Sequence, residues 1–121
     1  HGHTREAIKK VESLGQEALP LLQELGNLTK IVEKAIQLKD LLTMGQAMTK
    51  AHGKLAQLGV SCQLSDDLVE LALENGALGA KMSGGGLGGC VIVLIKEKKE
   101  AEDLARLLRE KGASNIWIES L

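Results

Sequence analysis

Ala77-Leu78-Gly79-Ala80-Lys81-Met82-Ser83-Gly84-Gly85-Gly86-Leu87-Gly88-Gly89-Cys90-Val91-Ile92-Val93-Leu94-Ile95 is the stretch on which the reading of the fold turns. Its two ends read as strands, Ala77 to Ser83 and Val91 to Ile95, the second rich in the β-branched residues that suit a buried strand. Between them, five of the six residues from Gly84 to Gly89 are glycine and only Leu87 carries a side chain. Such a run costs conformational entropy and is tolerated where backbone must take positive φ or approach another group closely. Bunched amide hydrogens make a cradle for phosphate oxygens, but a tight connection between two strands would need the same glycines. Residue chemistry alone leaves both readings open. Gly84, Gly86 and Gly89 satisfy G-x-G-x-x-G, yet that fingerprint needs a helix directly after it, and here a strand follows. No Gly-Lys-Ser/Thr closes the loop, which removes the Walker pattern as well.

Upstream the periodicity is helical. Ile8, Val11, Leu14, Ala18, Leu21, Leu22 and Leu25 recur at helical spacing from Thr4, a candidate N-cap, and Pro20 predicts a break between Gly15 and Leu19. A helix through Leu28 to Leu38, continuous with the Pro20 helix or separate, precedes one from Asp40, its N-cap, to Leu58. In the latter, Leu41, Met44, Met48, Ala51, Leu55 and Leu58 fall on a single face and read as a core stripe. His52 adjoins that stripe and reads as a packed helix histidine, outside the chemistry. Val60 to Leu64 turns the chain, and Ser65-Asp66-Asp67 opens a short helix that ends at Asn75-Gly76, its acids suiting the positive end.

Downstream, a charged helix from Glu97 to Lys111 buries Ala101, Leu104, Ala105 and Leu108 and stops at Gly112, and Asn115-Ile116-Trp117-Ile118 alternates as a third strand. Helices followed by β-β-α-β give an α+β layer structure whose sheet is covered on one face by helices.

The 121 residues, 44% hydrophobic and 26% charged, have the balance of one globular domain. Fifteen basic and 16 acidic residues leave a formal charge of -1, which disfavours nucleic acid and anionic membranes as partners. Trp117 is the sole aromatic residue, so there is no stacking platform for single-stranded nucleic acid. No apolar run approaches the roughly 20 residues that span a bilayer, and no charged-then-apolar leader opens the chain. Two cysteines, Cys62 and Cys90, are too few for a zinc ribbon or a disulfide framework, which predicts reduced thiols and a cytoplasmic location. His1 and His3 read as a frayed end and not as metal ligands. The first residue is not Met and the helical pattern begins at once, as in a fragment of something longer.

Lys81-Met82-Ser83-Gly84-Gly85-Gly86-Leu87-Gly88-Gly89-Cys90 resembles the third conserved motif of the GHMP kinases, which in the mevalonate kinases among them runs Lys-Leu-Thr-Gly-Ala-Gly-Gly-Gly-Gly-Cys. Gly76-Ala77-Leu78-Gly79-Ala80-Lys81 is similar to the family's Gly-Ala-x-Gly-Ala-Lys approach to it. Met48, His52, Leu55, Leu58, Gly59, Val60 and Ser61 resemble Met-x-x-Asn-His-x-x-Leu-x-x-Leu-Gly-Val-Ser, and Gly2, Thr4 and Ala7 loosely follow Gly-x-Thr-x-x-Ala-Val, with Val11 three positions beyond its end. The departures are Ser83 for Thr, Gly85 for Ala, Leu87 for Gly and Ala51 where the family has Asn. Leu87 matters most, since a side chain there would narrow the pocket.

The resemblance implies a ferredoxin-like C-terminal domain spanning residues 1–121, with helices packed on an antiparallel sheet. In the family that sheet has four strands, and the fourth precedes the Gly-x-Thr segment; an unfilled place in the sheet would invite a homodimer by strand pairing. The implied activity is transfer of the γ-phosphoryl group of ATP, with magnesium, to the 5-hydroxyl of mevalonate in isoprenoid biosynthesis. The family keeps its ATP loop and its catalytic Asp and Lys in an N-terminal domain, so no catalytic residue and no metal ligand is expected in this chain, and the isolated chain should be inactive. Its partners would be that N-terminal domain, ATP and mevalonate. The implied substrate and phosphate-binding loop is Ser83, Gly84, Gly85, Gly86, Leu87, Gly88 and Gly89. It would face the cleft between the domains, with the Ser83 hydroxyl free to donate to an oxyanion or to be satisfied by backbone. Two alternatives stand beside this: another GHMP kinase acting on phosphomevalonate, homoserine or galactose, and a non-catalytic α+β module that binds a small ligand or a partner.

Overall fold

The structure, a computed structural model, describes residues 2–83 and 91–113. Helix α1 spans Gly2–Leu14, a 3-10 turn takes Gly15–Glu17, and α2 spans Ala18–Leu38. The expected break is present, and Gly15 makes it: at φ 58° it occupies the left-handed region that costs glycine least. Pro20 sits in the first turn of α2, where a missing amide hydrogen has no intrahelical partner to lose. Because α1 begins at Gly2, Thr4 lies inside the helix and not at its cap. The Leu28 to Leu38 segment is continuous with the Pro20 helix.

Lys39, in a left-handed conformation at φ 57°, ends α2; its N–H donates to the Ile36 carbonyl at 3.1 Å and the Asp40 N–H to that of Ala35 at 2.9 Å. Helix α3, Leu41–Gln57, starts at once, with Asp40 accepting from the Thr43 N–H at 3.1 Å and from the Thr43 hydroxyl at 2.7 Å. This N-cap was legible from residue type. So short a connection makes α2 and α3 a helical hairpin, and an ion pair between Lys54 and Glu24 at 2.7 Å links them. Both partners are partly exposed, so the pair contributes at most about 1 kcal/mol. The stripe on α3 is a core stripe as expected: Met48, Ala51 and Leu58 are buried, with Leu41, Met44 and Leu55 half-buried.

Helix α4, Gln63–Glu74, begins two residues earlier than the Ser65-Asp66-Asp67 sequence suggested. Cys62 caps it, and Ser65, fully buried, closes a capping box by accepting from the Cys62 N–H at 3.0 Å and donating to the Cys62 carbonyl at 2.9 Å. Strands β1, Gly79–Met82, and β2, Val91–Leu94, pair antiparallel with Ala80 opposite Val93 and Met82 opposite Val91. Both are shorter than the sequence suggested, and β2 is not fully buried: Ile92 is 49% exposed. Helix α5, Lys98–Lys111, buries Ala101, Leu104, Ala105 and Leu108 and ends at Gly112 in a positive-φ conformation, as its pattern predicted. The third strand expected at Asn115 to Ile118 lies outside the described residues.

One core cluster joins Leu68, Val69 and Ala72 of α4, Ala80 of β1 and Leu104 and Leu108 of α5, with Val91 and Val93 of β2 against it. A second joins Ala18, Leu58, Val60 and Met82, with Val11, Leu14 and Leu55 around them. Met82, the last residue of β1, is thus the strand's foothold in the helical half. Among the described residues no helix is long and apolar enough to cross a membrane.

Candidate functional site

The end of β1, where the chain runs into the glycine sequence, is held by α3 through two kinds of contact. The first is glycine against glycine. A Cβ built on Gly79 would collide with the Gly45 backbone, and one built on Gly45 would collide with Leu78, whose own Cβ would stand 2.9 Å away. The absence of both side chains lets strand and helix touch backbone to backbone.

The second is hydrogen bonding. Ala80 donates its N–H to the Thr49 hydroxyl oxygen at 3.3 Å, and Met82 donates its N–H to Nδ1 of His52 at 3.0 Å. Two acceptors three residues apart on α3 therefore meet two amides two residues apart on β1. A strand edge exposes unpaired amides, and here α3 covers that edge with side chains.

His52 is only 7% exposed, and its other nitrogen is also used. Nε2 lies 2.8 Å from Oδ1 of Asp66 on α4. An amide N–H can only donate, so Nδ1 must carry a lone pair; the proton is on Nε2, which donates to the carboxylate, and the imidazole is neutral. Asp66 stands in the first turn of α4, where the helix dipole favours a negative charge. The Ser65–Cys62 capping box fixes that turn. Three elements, α3, α4 and β1, thus converge on one imidazole beside the exit of β1.

Of the site residues expected from sequence, Ser83 follows Met82 directly and is half-buried. Gly84, Gly85, Gly86, Leu87, Gly88 and Gly89 lie outside the described residues. Sequence reasoning placed His52 correctly as a packed histidine but missed what it packs between. Its spacing of 4 from Met48 gave its face on α3; nothing in a separation of 14 residues from Asp66 or 30 from Met82 announced the partners. Among the described residues no group of three or more His, Cys, Asp or Glu side chains could hold a metal ion. A shallow groove between α2 and α3, lined by Glu24, Asn27, Lys50, Lys54 and Gln57, is solvent-facing, and its Lys54 is already paired.

Residues 32–114 match the family described as GHMP kinases C terminal. A mevalonate kinase of Thermococcus sibiricus is 37% identical over 127 residues, covering 95% of this chain and 37% of that protein. A galactokinase of Thermococcus kodakarensis is 35% identical over 108 residues, covering 88% of this chain and 31% of that protein. Among solved structures, the L. major mevalonate kinase in complex with R-mevalonate superposes with a TM-score of 0.80 at 28% identity, covering 94% of this chain and 37% of that one. The chain therefore spans little more than a third of the length of the relatives it matches.

Proposed function

Because the chain belongs to the GHMP kinases, as their C-terminal domain, we propose that it is part of an ATP-dependent mevalonate kinase, with residues 1–121 lying in the C-terminal domain of that enzyme. The observation that carries this reading is the joint placement of two sequence blocks. His52 to Ser61 lies on α3 and just after it, and it reaches by hydrogen bond to β1, whose end opens the Lys81 to Cys90 block. The matching mevalonate kinases align with 95% and 98% of this chain, which in each case is 37% of the longer protein.

In this reading Ser83 and the run Gly84 to Gly89 border the cleft against an N-terminal domain that brings the ATP loop, the catalytic Asp and Lys and the magnesium ligands. Phosphoryl transfer depends on positioning and on neutralising charge at the transferred group. The share of this chain is positioning: backbone amides of the glycine run and the Ser83 hydroxyl contact phosphate or substrate oxygens. Reduced cysteines and the charge balance fit a cytoplasmic enzyme.

The galactokinase similarity makes galactose the principal competing substrate. The intact kinase, assayed with ATP and magnesium on mevalonate, phosphomevalonate, homoserine and galactose, should prefer mevalonate by at least about tenfold in kcat/KM. Preference for any other member of the panel overturns the assignment. The 121-residue chain alone is expected to fold with high helix content and to release no ADP above a protein-free control when given mevalonate, ATP and magnesium.

A further inference from the structure

We infer that His52, oriented by Asp66, is a positioning residue for phosphoryl transfer: it sets the orientation of the Met82 peptide and so the direction in which the chain enters Ser83 and the glycine run. The inference rests on the kinase reading above. It starts from how the imidazole is used. A buried position on a core stripe is filled adequately by Leu or Met, whose packing fixes volume but not direction. His52 instead spends both nitrogens, accepting from the Met82 N–H at 3.0 Å and donating to Asp66 at 2.8 Å. Met82 is 4% exposed, so water does not replace the acceptor if the imidazole turns away.

Position in the chain makes this bond matter more than an ordinary strand cap. Met82 is the last residue of β1, and the glycines begin two residues later. Glycine has no Cβ to restrict φ and ψ, so a glycine run does not correct a misdirected entry. Its orientation has to be supplied at its ends. Among the described residues the pairing of β1 with β2 reaches Met82 opposite Val91, and the His52 bond acts on the Met82 peptide. Asp66 completes the device: by accepting from Nε2–H it selects the tautomer that leaves Nδ1 free to accept.

Two substitutions separate direction from packing. In His52→Asn the side-chain oxygen takes the place of Nδ1 and accepts from the Met82 N–H, while the reach to Asp66 is lost. In His52→Gln the amide nitrogen reaches toward Asp66 and the Met82 N–H loses its acceptor. In the intact kinase, His52→Asn should keep kcat/KM within about threefold and His52→Gln should lose at least about tenfold, although both lower the melting temperature similarly. Asp66→Ala, at a part-exposed position that tolerates truncation, should lower kcat/KM about tenfold, and Asp66→Asn, which still accepts from Nε2–H, should restore most of it.

Amide exchange at Met82 in the 121-residue chain gives a readout independent of turnover, expected to accelerate about tenfold in His52→Gln and little in His52→Asn. Equal activity losses in the Asn and Gln variants, tracking only their melting temperatures, would overturn the inference while the wild-type turnover preserved the kinase reading. An intact wild-type protein that phosphorylates no member of the panel would remove the kinase reading and the catalytic part of this inference with it. The exchange pattern would still show whether His52 anchors Met82.

Discussion

Gly45 and Gly79 offer a test of the α3–β1 seam in which local and tertiary physics predict opposite signs. Gly45 is an interior residue of α3, and on helix propensity alone Gly45→Ala should stabilise by about 1 kcal/mol. The seam says otherwise. The new Cβ would stand within 3.0 Å of the Leu78 backbone and of its Cβ, a separation real Cβ atoms essentially never show. The obstacle is mainly backbone, which cannot rotate away as a flexible side chain can, so the helix and strand must separate. Overpacking of a well-filled core costs about 1 to 3 kcal/mol, and opening the seam also stretches the Ala80–Thr49 and Met82–His52 bonds, worth about 1 kcal/mol each.

A net loss of about 2 to 4 kcal/mol remains after the propensity gain is subtracted. Gly26 in α2 and Gly53 in α3 are the controls: a Cβ at either meets nothing within 4 Å, so alanine there should gain up to about 1 kcal/mol. Urea unfolding followed by circular dichroism, on the wild-type chain and the three alanine variants, measures all four. If Gly45→Ala is as stable as Gly53→Ala, the backbone contact does not hold and the reasoning fails.

Asp40 supplies a pH test. The Thr43 hydroxyl and then the Thr43 amide, both donating to it, hold its carboxyl below the ordinary value of 3.8. A folded-state value below the unfolded one means the stabilisation is fully present above about pH 4 and is lost as pH falls through the lowered value. Asp40→Ala should therefore lower the melting temperature at pH 7, and the gap to wild type should shrink in melts taken below pH 4. Gly86→Val in the intact kinase should lower kcat/KM by at least about tenfold, about 1.4 kcal/mol of transition-state stabilisation, with the fold retained; an unchanged kcat/KM in a folded variant removes the glycine run from the site. Cys62 is a free thiol among the described residues, and both Cys62 and Cys90 should alkylate in non-reducing mass spectrometry of freshly purified protein, a result that an intact bridge between them would contradict.

Much of the helical half was legible because its signals are local. The Asp40 cap, the Gly15 break, the stripe from Leu41 to Leu58 and the buried face of α5 each depend on residues within a few turns of one another, where the periodicity of 3.6 fixes who faces whom. The start of α4 lies two residues before Ser65-Asp66-Asp67 because Ser65 serves as the returning member of a capping box whose cap is Cys62, a residue type without a capping signature. The strand ends were overextended because β-branched content marks a strand but not where its partner stops. The candidate site divides the same way. Ser83 and the glycine run announced themselves by composition and by their likeness to a family motif. The residues that hold the run's entrance did not, since His52, Asp66 and Met82 meet only after three elements have packed, and neither Gly45 nor Gly79 carries a side chain to betray the contact.

The seam between α3 and β1 also has a place in time. The α2–α3 hairpin is closed by Lys39 and Asp40 alone, so its contacts form without a long loop to close. The seam's hydrogen bonds join residues 31 and 30 positions apart and require α4 to be in place before Asp66 can fix His52. Contacts of such separation are expected to form late in folding, an order that φ-values near zero for substitutions at Thr49 and His52 would show. Weakening them then leaves the folding rate almost unchanged and speeds unfolding. The lifetime of the native state, more than the speed of reaching it, is set at the point where the chain is about to enter its glycines.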